Sequence, residues 1–178
     1  MKKIILLIAV AITGTSTFAQ YHPVDDGSSI QFKIKNFGIN TGGSFSGLQG
    51  NIKFDPGHLS DANVEVSIDA KSINTNNEMR DSHLRNDGYF DVTKYPRILF
   101  ASTKLVPSSK AGEMMIFGKL TIKDHTKDVS FPFTATPSND GYLFKGAFTI
   151  NRRDFEVGGS SPISDNLEVQ LNILARKS

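Results

Sequence analysis

Side chains that could do chemistry come together in two short stretches of the chain, Arg80-Asp81-Ser82-His83 and Arg152-Arg153-Asp154. An aspartate, a serine and a histidine are the parts of a hydrolytic site, in which the carboxylate orients the imidazole and the imidazole takes the hydroxyl proton. That chemistry needs three side chains converging on one point. Neighbouring positions on a helix point in different directions, so direct succession argues against a triad and for a hydrogen-bonded structural cluster. No G-x-S-x-G nucleophile turn occurs. Arg80 and His83, three apart, would share a helix face. Two adjacent arginines after a strand can meet a phosphate or a quinone oxygen through forked hydrogen bonds. The competing reading is pairing with nearby carboxylates, the commoner fate of surface charge. Arg80, His83 and Arg153 are therefore the polar candidates for the mouth of a binding site, and no residue is assigned a catalytic role. His22, His58 and His125 stand alone, the chain has no cysteine, and no H-x-H or H-E-x-x-H spacing occurs, so no metal centre is expected.

The elements that must position these groups read as strands. Ile30, Phe32 and Ile34 alternate with Gln31, Lys33 and Lys35, and Val64, Val66 and Ile68 alternate with Glu65 and Ser67. Val169, Leu171 and Ile173 alternate with Gln170 and Asn172. Successive side chains on a strand face opposite sides, so each segment has one apolar and one wet face, the antiparallel pattern. Further strands fit residues 45–54, 98–105, 113–122, 129–135 and 142–150. Their apolar faces carry Phe54; Phe100; Ile116 and Leu120; Phe131 and Phe133; and Phe144 and Phe148. With Ile30, Phe32, Ile34, Val64, Val66, Ile68 and Leu171, these are the candidate wall of an apolar interior. The 13 phenylalanines are core by default, and wall only where a barrel is too wide for its own side chains to fill. Asp55-Pro56-Gly57, Lys110-Ala111-Gly112 and Asn139-Asp140-Gly141 mark turns in which glycine is expected at positive φ. Residues 74–97 form the longest irregular stretch. Within it, 77–85 is predicted as a short helix, with Met79 and Leu84 as its apolar contacts. About eight strands in one domain leave a sandwich or a closed barrel, and periodicity alone does not choose between them.

The N-terminus reads as an export signal. Lys2 and Lys3 precede an unbroken apolar run from Ile4 to Ile12, and Thr17-Phe18-Ala19 has the small-x-small pattern of a cleavage site. Nine apolar residues are too few for a bilayer that needs about 20. Cleavage after Ala19 would leave residues 20–178 as one domain, periplasmic or secreted, with no stable membrane insertion. The signal also takes Lys2 and Lys3 with it, so 20 basic against 18 acidic residues become 18 against 18. That balance gives no reason to expect a nucleic-acid partner, and the absence of cysteine means no disulfide is needed.

Several short motifs, taken in order, resemble one family. They begin with Tyr21-x-x-Val24-Asp25, Ser29-Ile30-x-Phe32 and Gly50-x-Ile52-x-Phe54-Asp55. Val66-x-Ile68-Asp69-Ala70-x-Ser72-Ile73-x-Thr75, Arg80-Asp81-x-His83-Leu84, Phe90-Asp91 and Tyr95-Pro96 follow. Phe100-x-Ser102-Thr103, Gly118-x-Leu120-Thr121-Ile122, Thr126 and Arg153-Asp154-Phe155 complete the set. The chain is similar to the YceI-like family of exported, polyisoprenoid-binding bacterial proteins. The resemblance implies a lipocalin-like, all-β closed barrel of eight antiparallel strands. It implies a long-chain isoprenoid lipid as partner, of the quinone or polyprenyl phosphate type, with no other cofactor and no enzyme activity. The alternatives left open are a barrel filled by its own side chains, with a structural or stress-response role, and a hydrolase using Asp81 and His83.

Overall fold

The computed structural model describes residues 19–160 and 163–178. The expected export segment, apart from Ala19, lies outside the described residues. Eight strands run β1 (Gln20–Asn36), β2 (Ile39–Lys53), β3 (Asn63–Asn74), β4 (Arg97–Pro107), β5 (Met114–Ile122), β6 (His125–Ser138), β7 (Gly141–Asn151) and β8 (Ile163–Lys177). One α-helix, α1 (Glu78–Arg85), and two single-turn 3₁₀ segments are the remaining regular elements among the described residues. Each strand pairs antiparallel with the next, and β8 closes back onto β1. Closure decides for the barrel and against the sandwich. It also leaves no sheet edge, the usual reason for an up-and-down barrel to close.

The alternation places the apolar set inside. Ile116, Leu120 and Ile122 of β5, Phe131 and Phe133 of β6, and Ile150 of β7 are all buried. The first two strands are longer than alternation alone indicates. β1 starts at Gln20 and passes a register shift between Val24 and Ser29, where Pro23, Asp25, Asp26 and Gly27 break the pattern. β2 starts at Ile39 and has shifts around Ser46, where Ser72 Oγ accepts the Ser46 N–H at 2.8 Å. The turn glycines divide in their roles. Gly112 has φ +76 as expected, but Gly57 and Gly141 do not lie at positive φ. Gly141 is instead a place of close approach, since a Cβ there would sit 2.0 Å from the Ala175 carbonyl oxygen.

Strand direction sorts the connections into two ends. One end holds the start of β1, the end of β8 and the β2–β3, β4–β5 and β6–β7 connections; the other holds the β1–β2 turn, α1, the β5–β6 turn and the β7–β8 connection. α1 begins where predicted: the Asn77 side chain accepts the Arg80 N–H at 2.9 Å, a standard N-cap bond. Arg85 ties the helix to β3, donating from Nε to the Lys71 carbonyl (2.9 Å) and from Nη2 to that of Ile73 (3.0 Å). Met79 does not supply an apolar contact as expected and stands exposed, because the inward face of so short a helix is set by Arg80 and Leu84, four apart.

Candidate ligand-binding cavity

The barrel is hollow. Its lumen holds a cavity of about 290 Å³ with an almost wholly apolar lining. All fifteen wall candidates border it: Ile30, Phe32 and Ile34 of β1, Phe54 just past β2, Val64, Val66 and Ile68 of β3, Phe100 of β4, Ile116 and Leu120 of β5, Phe131 and Phe133 of β6, Phe144 and Phe148 of β7, and Leu171 of β8.

Glycines on inward positions explain why so many aromatic rings leave space between them. A Cβ at Gly43 would lie 2.5 Å from Phe32 Cζ, and one at Gly118 would lie 2.5 Å from Phe100 Cζ. One at Gly146 would approach two Phe131 ring atoms at 3.2 Å. Each ring rests against its wall over the missing side chain, a known way for aromatics to cover strand glycines.

At the end where β1 starts and β8 finishes, aromatic packing plugs the lumen. Phe54, only 1% exposed, meets Tyr142 and Phe144 edge-on with centroids 5.1 Å from each, and Tyr21 packs edge-on against Tyr142 at 5.4 Å. Burial, then the nearby Tyr142 and Asp55, push the Tyr21 hydroxyl above its ordinary value. Offset and edge-on rings at these separations attract beyond their simple area burial.

The opposite end is the mouth, bordered by Asn36, Thr41, Thr75, Arg80, Leu84, Tyr89, Arg152, Val157 and Ile163. Arg80 donates from Nε to Thr75 Oγ1 (2.8 Å) and from Nη2 to the Thr75 carbonyl (2.7 Å), and its Nη1 has no hydrogen-bond partner among the described residues. Asp81 is buried beneath it and accepts both the N–H (2.9 Å) and the hydroxyl of Thr75. Thr75 thus joins the two charges without direct contact between them. Ser82 and His83 point to solvent. His83 therefore does not share the cavity face with Arg80, and the Asp81-Ser82-His83 run forms no convergent site. Among the described residues no group of three or more His, Cys, Asp and Glu side chains could hold a metal ion.

The arginine pair is also reassigned. Arg153 lies on the outside, its Nε 4.0 Å from Asp165 and its side chain 42% exposed, whereas Arg152 is buried at the mouth. Arg152 donates to the carbonyls of Val157 (2.9 Å), Gly158 (3.2 Å), Gly159 (3.3 Å), Ser164 (3.1 Å) and Ile163 (3.3 Å), and to the Asp165 carboxylate at 2.9 Å. Its guanidinium is consumed in folding the β7–β8 connection. Period-two parity was the available signal: the even positions that put Phe148 and Ile150 inside also put Arg152 inside.

A closed, eight-stranded, up-and-down barrel around an apolar cavity is a lipocalin-like binding architecture. The chain belongs to the YceI-like family, whose domain pattern matches residues 21–175. A UPF0312 protein of Shewanella denitrificans is 32% identical over 152 residues, covering 81% of this chain and 79% of that protein. Among solved structures, Burkholderia cenocepacia BcnA superposes with a TM-score of 0.77 at 25% identity, covering 82% of this chain and 94% of that one. A polyisoprenoid-binding domain from Saccharophagus degradans superposes at 0.69 with 14% identity, covering 91% of this chain and 100% of that one, a likeness of fold. No helix among the described residues is long and apolar enough to cross a membrane.

Proposed function

We propose that the protein binds a long-chain isoprenoid lipid, of the quinone or polyprenyl phosphate type, and shields its tail from water without chemistry of its own. The observation that carries this reading is the hollow apolar lumen, closed by aromatics at one end and open at the other beside Arg80. Burial of hydrocarbon is worth about 0.8 kcal/mol per methylene, so a tail of several isoprene units supplies on the order of 10 kcal/mol before ordering costs. The cavity volume of about 290 Å³ sits at the lower edge of the ~300–1,000 Å³ usual for ligand sites. A long tail therefore fills the lumen and continues out at the mouth, with its polar head near the Arg80 Nη1. The Saccharophagus degradans neighbour, named for polyisoprenoid binding, supports the same ligand class.

Export completes the proposal, on the strength of the Ile4–Ile12 run and Thr17-Phe18-Ala19. The test is extraction of protein purified from its own host with organic solvent, followed by mass spectrometry. Co-purifying isoprenoid, or stoichiometric uptake of added quinone, is expected; neither one occurring would overturn the cargo assignment. N-terminal sequencing of the same sample should begin at Gln20, and a start at Met1 would overturn export.

A further inference from the structure

The β1–β2 turn at the mouth carries apolar side chains that serve no purpose within the fold. Phe37 is 77% exposed and Ile39 72%, and Met79, 76% exposed, stands on α1 at the same end. Phe37 and Gly38 both lie at positive φ, +48° and +77°, the backbone of a tight mirror-image hairpin turn. Asparagine, aspartate or glycine normally fills the first of those positions, since a bulky side chain there is strained. Here a strained phenylalanine gains no burial in return. Strain held without local reward is a pointer to function.

The β2 side of the tip is uncovered, while β1 stays paired with β8 as far as Asn36 opposite Ile163. β2 pairs with β3 only from Ser44 onward, so Ile39–Gly43 run past the last β2–β3 rung, about 16 Å of strand by the usual rise per residue. From Gly27 to Phe54 the chain contains lysines and no carboxylate, and Lys33 and Lys35 on the outer face near the tip are exposed. Glu168 stands opposite Lys33 on β8, and no ion pair engages Lys35 among the described residues. On the β5–β6 side of the mouth, Asp124 and Glu156 flank His125, at 3.2 and 3.4 Å from its Nε2.

We infer that the β1–β2 tip is a docking element that seats the barrel mouth on an anionic lipid bilayer, with Phe37 and Ile39 entering the interface and Lys33 and Lys35 facing the headgroups. Apolar area plus attraction to anionic lipid is what holds a peripheral protein at a membrane surface. The Asp124 and Glu156 side carries carboxylates where the tip has none, so contact is tip-first and the mouth opens beside the bilayer. The inference goes beyond the cargo assignment and stands on different residues.

The test is co-sedimentation of the protein, as its own cell processes it, with phosphatidylcholine vesicles that either contain or lack phosphatidylglycerol. Neither set contains an isoprenoid, so the result is independent of cargo. The expected result is binding to the phosphatidylglycerol vesicles that weakens with salt. Phe37→Asn should weaken it about tenfold or more by removing the inserted ring. The same change should leave thermal stability equal or higher, because asparagine accepts this backbone. Lys33→Gln with Lys35→Gln should weaken binding only to the anionic vesicles. Absence of vesicle binding, or equal binding by Phe37→Asn, would overturn the inference. So would a wild-type dimer that Phe37→Asn makes monomeric with vesicle binding unchanged, which would make the tip a self-association surface.

Discussion

Two inward glycines on the barrel wall offer a matched test of how the lumen stays open. A Cβ at Gly118 would meet Phe100 Cζ at 2.5 Å and the Ala101 carbonyl oxygen at 2.6 Å. The ring can swing; the carbonyl belongs to a β4–β5 ladder that holds it. At Gly146 the nearest atoms are the Pro132 carbonyl oxygen at 3.1 Å and two Phe131 ring atoms at 3.2 Å, contacts that a shift of a few tenths of an ångström relieves. Neither glycine is at positive φ, so backbone strain does not enter. Overpacking a core costs about 1–3 kcal/mol, while Gly→Ala at a tolerant site returns about 0.4–1 kcal/mol by restricting the unfolded chain. Gly118→Ala should therefore lose about 1–3 kcal/mol, or roughly 2–12 °C in melting temperature for a domain of this size. Gly146→Ala should fall within about 0.5 kcal/mol of the parent. Urea denaturation with constant m-value measures both. The Gly118→Ala variant should also take up less added quinone, because its Phe100 ring is driven into the lumen. Equal stability of the two variants, or a larger loss at Gly146, would refute the idea that ring-over-glycine packing shapes the cavity.

Three further outcomes follow from the same contacts. Phe54→Ala should cost about 3–5 kcal/mol in denaturant melts, since it removes a ring that is 1% exposed and central to the aromatic plug. Arg152→Lys should cost about 2–3 kcal/mol, because one ammonium cannot serve five carbonyls and a carboxylate from that position; retention of full stability would show the network to be dispensable. The raised Tyr21 hydroxyl predicts an alkaline loss. Its folded-state value lies above the ordinary 10.0, so its contribution is fully present below pH 10 and is lost as pH rises through the folded value. Tyr21→Phe should flatten that part of the melting-temperature profile, and an unchanged slope between pH 9 and 11 would count against the assignment.

What could be read from the chain follows how local each determinant is. Val64, Val66 and Ile68 or Ile116 and Leu120 declare a strand and its inner face within a few residues, and those positions all reached the cavity wall. The Asn77 cap and α1 were equally local. Closure was not legible from periodicity and came only from the family resemblance, because it rests on β1 meeting β8, with Tyr21 paired to Lys177 at opposite ends of the domain. The early part of β1 was hidden by Pro23 and by the irregularity after Val24, where Asp25, Asp26 and Gly27 leave the regular pairing with β8. At the mouth, Arg153 and His83 do not border the cavity, one being next in sequence to the buried Arg152 and the other turned from the face shared by Arg80 and Leu84. Gly43, Gly118 and Gly146 could have been recognised as inward by parity, but their meaning depends on rings contributed by other strands.

The distribution of charge at the mouth bears on what the site can select. Of the two arginines bordering the cavity, Arg152 spends its donors on the β7–β8 backbone and Asp165. Arg80 spends Nε and Nη2 on Thr75, which Asp81 in turn holds from below. Both Nη1 hydrogens and one on Nη2 are therefore unengaged among the described residues, against an apolar wall that draws on all eight strands. Forked recognition of phosphate requires two parallel N–H donors. Here the Nε–Nη2 edge is closed on Thr75 and the Nη1–Nη2 edge is left, a single polar edge beside an otherwise apolar wall.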